Sequence, residues 1–223
     1  MTKTAISDDN KGRVYGGENQ EERRARRRQQ FLDAGLEVFG TLGYRAATVR
    51  TLCKQAGLTD RYFYESFDTT EDLLMGVYRQ QCEALERAVM QALAATAGLA
   101  GNDFMKGIEA GLDAVFTQVS DARMARVVWI EVMGISPRVD KMYNDTMDGF
   151  GNLIMMVARQ RYPDLGTTDQ DEIRMVGLAI AGAVSQCVLH WMLGGYRESK
   201  ATMVSATSRV FRGLLLTLPQ RSV

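Results

Sequence analysis

The side chains that could serve in metal binding or nucleophilic catalysis are few and far apart in this sequence. There is one histidine, and only Cys187 among the three cysteines lies within one helical turn of it, at His190. A zinc ion takes three or four protein ligands, so this pair does not predict a metal site. No Ser/His/Asp set, catalytic pair of carboxylates or phosphate-binding loop is found. We therefore expect no enzyme, no cofactor and no metal.

Hydrogen-bonding side chains are instead concentrated between residues 48 and 70. Within this stretch, Phe63 and Phe67 have the i, i+4 spacing of the inner face of a helix. The outer face of the same helix would carry Asp60, Arg61, Tyr64 and Glu65. A helix that only fills space would not need so many donors and acceptors. Such side chains can contact base edges and phosphates of nucleic acid.

Apolar spacing predicts three helices that position these residues. The first carries Phe31, Val38 and Phe39 at helical intervals and ends at Gly43. The second follows an N-cap at Thr48 and ends at Gly57, and the third is predicted to be capped by Thr59. Because the second and third helices are very short and joined at Gly57, the layout is that of a helix-turn-helix, whose third helix lies in the major groove.

Residues 46–78 resemble the DNA-binding domain of TetR-family transcriptional regulators. The resemblance rests on these motifs: Gly43-Tyr44, Thr48, Leu52-Cys53, Gly57-Leu58-Thr59, Phe63-Tyr64, Phe67 and Glu71-Asp72-Leu73-Leu74. The sequence departs from the family at Thr70, where a phosphate-binding lysine is usual, and at Cys53, where alanine is commoner. A hydroxyl and helix N-terminal amides can still bind a phosphate at Thr70, without the charge.

The resemblance implies which side chains contact DNA. They are Thr48, Arg50, Thr59, Asp60, Arg61, Tyr62, Tyr64, Glu65, Ser66 and Thr70. Glu65 could accept a hydrogen bond from a cytosine amino group. For Tyr62, partial packing in the core is an equal alternative, since helix faces are hard to fix in so short an element.

The composition and the helical patterns predict an all-α fold of about nine helices. We expect a polar N-terminal tail over residues 1–20, a helix-turn-helix DNA-binding domain over 21–68 and a larger helical domain over 69–223. The later helices are predicted at about 103–119, 122–134, 138–161, 169–193 and 199–217. The family resemblance implies that the larger domain binds a ligand and forms a homodimer through its last two helices.

The middle helices are rich in methionine and aromatic residues, which adapt to ligands of varied shape. Core packing explains most such residues, but we also expect a pocket for a small apolar or aromatic effector. Its candidate lining residues are Phe116, Trp129, Met133, Tyr143, Met147, Phe150, Gln186 and His190. Gln186, His190 and Tyr143 would supply the polar anchors.

Two further segments leave alternatives open. The cluster of five arginines at residues 23–28 is either a solvated helix start or an arm that binds phosphates or a minor groove. Met175–Tyr196 contains no Asp, Glu, Lys or Arg over 22 residues, enough to span a membrane. Its Gln186, His190 and four glycines favour a helix buried in the protein or against a second copy.

Charge and cysteine content fit an intracellular regulator. Residues 21–66 hold nine basic and six acidic side chains, whereas residues 67–223 hold fifteen and eighteen. A basic N-terminal part suggests nucleic acid as a partner. Three widely spaced cysteines indicate a reducing compartment, and the first 20 residues carry no apolar run, so a cytoplasmic protein is expected.

The function expected from these patterns is that of a repressor. It would bind a near-palindromic double-stranded operator as a dimer and be released by the small effector. Two alternatives stay open at this point. One is an all-helical adaptor that binds a protein through its apolar C-terminal helices. The other is a regulator that acts as an activator without a small-molecule inducer.

Overall fold

The computed structural model describes residues 19–96, 104–162 and 169–217, and over these residues the fold is all-α, as predicted. The helices are α1 Gln20–Thr41, α2 Val49–Ala56, α3 Asp60–Tyr64, α4 Thr70–Thr96, α5 Phe104–Gln118, α6 Ala122–Arg126, α7 Pro137–Arg161, α8 Gln170–Leu193 and α9 Lys200–Thr217. A 3₁₀ turn, Tyr44–Ala46, follows α1, and a π-helical segment, Val127–Glu131, continues α6.

Helix α1 begins earlier than the apolar pattern indicates. Asn19 caps it, with its side chain accepting a hydrogen bond from the Glu22 amide and the Glu22 carboxylate accepting one from the Asn19 amide. The arginine cluster at 23–28 is therefore regular helix. Of the predicted tail, residues 1–18 lie outside the described residues, and Asn19 and Gln20 form the start of the helix.

The second helix and the turn after it form as predicted. Thr48 caps α2 by accepting a hydrogen bond from the Thr51 amide at 3.1 Å. Gly57 ends α2 with φ 66° and ψ 28°, a left-handed conformation that favours glycine.

The third helix differs in one detail from its prediction. Phe63 and Phe67 are buried in the core, as their spacing predicted. Thr59 occupies the N-cap position, as predicted, but its side chain makes no capping hydrogen bond. Its hydroxyl is exposed instead, which leaves it accessible to an external partner.

Helix α4 joins the first three helices to the rest of the chain. Thr69 and Asp72 form the capping box that starts it, with Asp72 Oδ2 accepting from the Thr69 amide at 3.0 Å. Its buried residues Leu73, Leu74 and Val77 belong to a single hydrophobic cluster that extends from Phe31 of α1 to Met203 of α9. A change in the packing of the later helices can therefore be transmitted to the first three through a continuous core.

The predicted helix 122–134 is not one regular α-helix. Its regular part ends at Arg126, and Val127–Glu131 is π-helical. The wider turn buries Val127 and Val128, while Trp129 is left half-buried. Such segments occur often at functional sites, and apolar periodicity at 3.6 residues does not reveal them.

Helices α7 and α8 cross at two glycines. A β-carbon built on Gly151 would lie 2.9 Å from the backbone nitrogen of Leu178 and 3.0 Å from the carbonyl carbon of Gly177. Only a residue without a side chain fits there, because backbone atoms cannot yield as a flexible side chain can. On the same helix, a β-carbon on Gly149 meets nothing within 4 Å.

Helix α8 is long and apolar enough to cross a membrane by length and composition, and it is the one helix among the described residues that is. Only 28% of its most apolar window is buried within the chain. The expectation of a helix buried on nearly all sides is therefore not met within a single chain, and much of its apolar surface is open to a partner.

We predict opposite effects for two substitutions at α7 glycines. Gly151→Ala should lower the free energy of unfolding by about 1–3 kcal/mol, because the methyl group overlaps the α8 backbone. Gly149→Ala, the matched control, should raise it by about 0.5–1 kcal/mol through helix propensity. Urea unfolding at one protein concentration would measure both, and equal effects at the two positions would contradict the close crossing.

Candidate DNA interface and ligand cavity

Most of the residues expected to contact DNA lie on one exposed surface. Thr48, Arg50, Thr59, Asp60, Arg61 and Tyr64 are exposed, and Tyr62, Glu65, Ser66 and Thr70 are half-buried. The Arg61 side chain is 84% exposed and Tyr64 is 60% exposed. The polar face of α3 is thus open to a nucleic acid, while Phe63 anchors it edge-on against Phe31 at 5.4 Å.

Glu65 is already engaged by two guanidinium groups. Arg61 Nε donates to Glu65 Oε1 at 3.0 Å, and Arg27 Nη2 lies 3.5 Å from Glu65 Oε2. A carboxylate held in this way has to give up an ion pair before it can accept from a cytosine amino group. The Arg61 side chain is more exposed than that of Glu65, so Arg61 has easier access to a base edge.

The Cys53 thiol of α2 lies close to the Asp60 carboxylate at the start of α3. Burial raises the pKa of the Cys53 thiol to about 11, and the Asp60 carboxylate adds to the shift. The thiol is therefore protonated at neutral pH and acts as a donor. Cysteine in place of the commoner alanine thus gives this chain an additional contact between the two helices.

The arginine cluster of α1 packs against the end of α3. The guanidinium of Arg27 lies 4.3 Å from the ring centre of Tyr62, and that of Arg28 lies 4.2 Å from the ring centre of Phe67. Tyr62 is half-buried beneath an arginine, which agrees with partial packing in the core, and its contact with DNA stays a prediction. These arginines could have been placed on the same face of α1 as Phe31 from their spacing, because Arg24, Arg27, Arg28 and Phe31 stand at i, i+3, i+4 and i+7.

The first turn of α4 lies beside the helix-turn-helix. Thr70 is its first residue and is half-buried, with the backbone amides of the turn around it. The pKa of Asp72 is lowered mainly by a hydrogen bond from Thr69 and secondly by the Arg138 guanidinium of α7. The start of α4 is therefore fixed to α7 by an ion pair between Asp72 and Arg138.

An apolar cavity of about 150 Å³ lies between the later helices. Its wall is formed by Tyr78, Leu85, Val89, Leu93, Phe104, Ile108, Gly111, Leu112, Val115, Val128, Trp129, Tyr143, Met147, Phe150, Leu153, Ile154, Met155, Val157, Ala158, Ile180, Ala181, Val184, Ser185, Phe211 and Leu214. Among the described residues of this wall, no side chain carries a charge. The polar side chains among them are those of Tyr78, Trp129, Tyr143 and Ser185, so the cavity suits an apolar occupant.

The structure brings four of the eight expected ligand residues together at this cavity. They are Trp129, Tyr143, Met147 and Phe150. Phe116 is buried outside the wall, where it packs edge-on against Trp191 at 5.6 Å.

The other three expected ligand residues are not placed at the cavity. Met133, Gln186 and His190 are exposed. Gln186 and His190 point away because the face of α8 that lines the cavity carries Ile180, Ala181 and Val184. Most of the remaining wall is aliphatic, and nothing in the sequence separates aliphatic core residues from aliphatic cavity residues.

The π-helical segment contacts both the cavity and the DNA-binding helices. Trp129 lines the cavity, and two residues later Glu131 Oε2 accepts from the Tyr44 amide at 2.7 Å. Glu131 Oε1 also accepts from Arg126 Nε at 2.7 Å, and Arg126 Nη1 donates to the Thr41 carbonyl at 2.8 Å. The end of α1 is thereby bound to the segment that forms part of the cavity wall.

Comparison with known proteins agrees with this arrangement. Residues 31–77 match the family model described as bacterial regulatory proteins, tetR family. The fatty acid metabolism regulator protein of Bacillus subtilis (strain 168) is 21% identical over 191 residues, which cover 83% of this chain and 92% of that protein. The HTH-type transcriptional activator FasR of Mycolicibacterium smegmatis is 28% identical over 198 residues, which cover 88% of this chain and 86% of that protein.

Solved structures share the fold. FadR from Bacillus halodurans, a fatty acid degradation regulator, superposes with a TM-score of 0.69 at 22% identity, covering 87% of this chain and 97% of that one. The transcriptional regulator FadR from Bacillus subtilis in complex with stearoyl-CoA gives a TM-score of 0.68 at 18% identity, covering 82% of this chain and 96% of that one.

The helix-turn-helix with its open polar face, together with these matches, defines the class of protein: it is a DNA-binding transcriptional regulator. The predicted resemblance is confirmed: residues 31–77 match the model of the tetR family, and the solved FadR structures share the fold. Its relatives are regulators of transcription rather than enzymes.

We predict that Arg61→Ala weakens binding to a preferred DNA sequence by about tenfold, because a well-placed base contact contributes roughly 1–3 kcal/mol. Binding to random-sequence duplex should fall much less. Fluorescence anisotropy with both duplexes would measure the two affinities. Arg87→Ala, which removes an exposed charge far along α4, is the control. Equal losses on both duplexes would show that Arg61 binds only phosphate.

Proposed function

We propose that this regulator is a cytoplasmic repressor that binds a near-palindromic operator as a homodimer and releases it when a long acyl chain occupies the cavity. The observation that carries this proposal is the uncharged, almost wholly apolar cavity wall beside a segment bound to the DNA-binding helices. The relative named as a fatty acid metabolism regulator and the structure of Bacillus subtilis FadR in complex with stearoyl-CoA support the same class of effector.

The chemistry of the wall determines which part of a ligand can enter. Burial of an unpaired charge in an apolar site is strongly unfavourable. Two of the polar groups in the wall also have polar neighbours within the protein: the Tyr78 hydroxyl lies close to Thr146, and Ser185 Oγ donates to Met147 Sδ at 3.8 Å. A charged head group must therefore stay outside, and the hydrocarbon part must occupy the interior. The expected apolar or aromatic effector is in this way narrowed to an aliphatic one.

The length of the wall also suits a long chain. Wall residues extend from Tyr78 to Leu93 on α4 and from Tyr143 to Ala158 on α7. At a rise of 1.5 Å per residue, each series spans about 22 Å. One leaflet of a bilayer core is about 15 Å thick, so a chain of membrane-lipid length fits along this path. The aromatic pair Tyr78 and Tyr143, with ring centres 6.5 Å apart, forms the end nearer the DNA-binding helices.

Two connections can transmit occupancy to the DNA-binding helices. Helix α4 carries wall residues and leads directly from α3, and the π-helical segment carries both Trp129 and Glu131. At Gly40 a β-carbon would lie 2.7 Å from the Arg123 Cα, so α1 and α6 touch and cannot move independently. A ligand that prefers one arrangement of these helices shifts the dimer toward it and changes the spacing of the two recognition helices.

A homodimer through α8 and α9 accounts for the apolar surface left open on those helices. Met175, Leu193 and Val210 are 50%, 68% and 51% exposed in the single chain. A twofold contact between the last two helices of each copy would bury such residues. It would also present two α3 helices to half-sites about 34–36 Å apart on one face of the duplex.

The proposal is tested by selecting bound duplexes from a random pool and titrating the preferred duplex complex with stearoyl-CoA. We expect a near-palindromic sequence, and a loss of affinity of about 5–150-fold with stearoyl-CoA, the range of typical coupling. Octanoyl-CoA is the control for the head group. An effect of equal size with octanoyl-CoA would contradict recognition of the chain, and transcription in vitro would distinguish repression from the activation named for FasR.

A cavity-filling variant checks where the ligand binds. Ala181→Leu places a larger side chain in the wall and should abolish the response to stearoyl-CoA while DNA binding persists. Ala94→Leu, on an exposed position of α4 next to wall residue Leu93, is the matched control and should respond as the wild type does. If Ala181→Leu retained the full response, the ligand would bind elsewhere.

Glu131→Gln should uncouple the two sites. Its side chain is 11% exposed and holds the Tyr44 amide and Arg126 together, so loss of its charge weakens the link without altering the cavity wall. We expect the effect of stearoyl-CoA on operator affinity to fall at least fivefold. Stearoyl-CoA affinity without DNA should change little, as isothermal titration calorimetry would show. Glu109→Gln, on α5, is the control, and equal coupling in both variants would exclude Glu131 from the link.

Val210→Glu should convert the dimer into a monomer of 24.8 kDa in sedimentation velocity experiments, because it places a charge in the proposed interface. Met90→Glu, at an exposed apolar position of α4, should leave the dimer intact. A dimer that persists in Val210→Glu would argue for a different interface.

A further inference from the structure

The end of the recognition helix α3 is held by arginines of α1. Arg28 Nη1 donates to the Ser66 carbonyl at 2.7 Å, and Arg24 Nη2 donates to the Glu65 carbonyl at 3.2 Å. These two carbonyls directly follow α3, where a helix leaves backbone acceptors without partners of its own. The two guanidinium groups therefore satisfy acceptors that would otherwise depend on water.

Helix α3 needs such support because it is only five residues long. Its C-terminal turn is closed by the Glu65 amide donating to the Arg61 carbonyl at 3.0 Å and the Phe67 amide donating to the Phe63 carbonyl at 2.8 Å. So few internal hydrogen bonds do not fix a helix in one orientation. Cations at a helix C-terminus also interact favourably with the helix dipole.

The contacts of the same arginines with rings add a second restraint. Arg28 lies over Phe67, whose ring in turn lies 3.3 Å from the place where a β-carbon on Gly76 of α4 would be. The Phe67 ring is thus enclosed between α1 and α4. Arg27 lies over Tyr62, so α1 contacts a side chain within the short helix as well as the ring of Phe67 after it.

We propose that Arg24 and Arg28 are positioning residues for sequence recognition: they hold the C-terminal end of α3 at the angle at which its outer face meets the bases. In this role they do not bind phosphate, although they belong to a cluster of five arginines. The inference rests on α3 being the helix that reads DNA. It resolves the open question of the arginine cluster for the two side chains that donate to the carbonyls following α3.

The test compares Arg28→Gln with Arg23→Gln, which removes the same charge from α1; both side chains are exposed, and of the two only Arg28 donates to a carbonyl that follows α3. The probes are the duplex that the wild-type protein selects from a random pool and a duplex of unrelated sequence. Affinities for both are measured over a series of salt concentrations. If the wild type selects no sequence, the proposed operator binding fails; the inference itself is judged by the two variants.

For Arg28→Gln we expect the ratio of specific to non-specific affinity to fall about tenfold, the size of one lost base-pair preference. The slope of log affinity against log salt should stay unchanged, since no phosphate contact is lost. For Arg23→Gln the ratio should stay as in the wild type. Reduced stability of Arg28→Gln would lower both affinities alike and leave the ratio unchanged, so it cannot imitate the expected result.

The inference is overturned if Arg28→Gln loses affinity equally on both duplexes and its salt slope falls by about one, because its guanidinium would then bind a phosphate. It is also overturned if the ratio does not change and neither affinity falls. Arg24→Gln should repeat the result of Arg28→Gln to a smaller degree, because its hydrogen bond is 0.5 Å longer, 3.2 Å against 2.7 Å.

Discussion

A five-residue helix makes too few backbone hydrogen bonds to keep its shape or direction alone, and this constraint governs the N-terminal part of the molecule. Every neighbour contributes to holding α3. Gly57 sets the turn before it, Phe63 packs edge-on against Phe31, and the Cys53 thiol lies close to Asp60 at its start. Arg24 and Arg28 donate to the carbonyls at its end. On the polar outer face, Arg61 and Tyr64 stay exposed despite these contacts.

The same requirement connects α3 to distant parts of the molecule. Its supports belong to a core that continues without interruption into the later helices. The segment Val127–Glu131 shares this core through Val127 and Val128, contributes Trp129 to the cavity and bonds to Tyr44 through Glu131. Small displacements at one end are transmitted because a densely packed interior cannot absorb them locally.

Helix periodicity and capping predicted most of the fold, since Thr48, Gly57 and the pair of Thr69 and Asp72 act through contacts within a few residues. The exposed face of α3 was predictable for the same reason. What the sequence did not reveal depends on contacts between distant helices or on a change of helix type. The link from Glu131 to Tyr44 joins residues 87 positions apart, and the π-helical turn breaks the 3.6-residue pattern.

The lining of the cavity was also only partly predictable from the sequence. Trp129, Tyr143, Met147 and Phe150 line it, but the aliphatic residues that form most of its wall look identical in sequence to those of a filled core. Gln186 and His190 were attractive as polar anchors, yet they lie on a face of α8 turned away from it. Whether a helix face borders protein or a void is decided by its neighbours in space.

A wall without charged side chains also determines what kind of information the protein can obtain from a hydrocarbon ligand. Each methylene group transferred from water contributes about 0.8 kcal/mol, roughly a fourfold change in affinity, until the available length is used up. Discrimination would then depend on carbon count and hardly on the polar group at the far end. Such a protein would work as a molecular ruler, insensitive to which metabolic carrier delivers the chain.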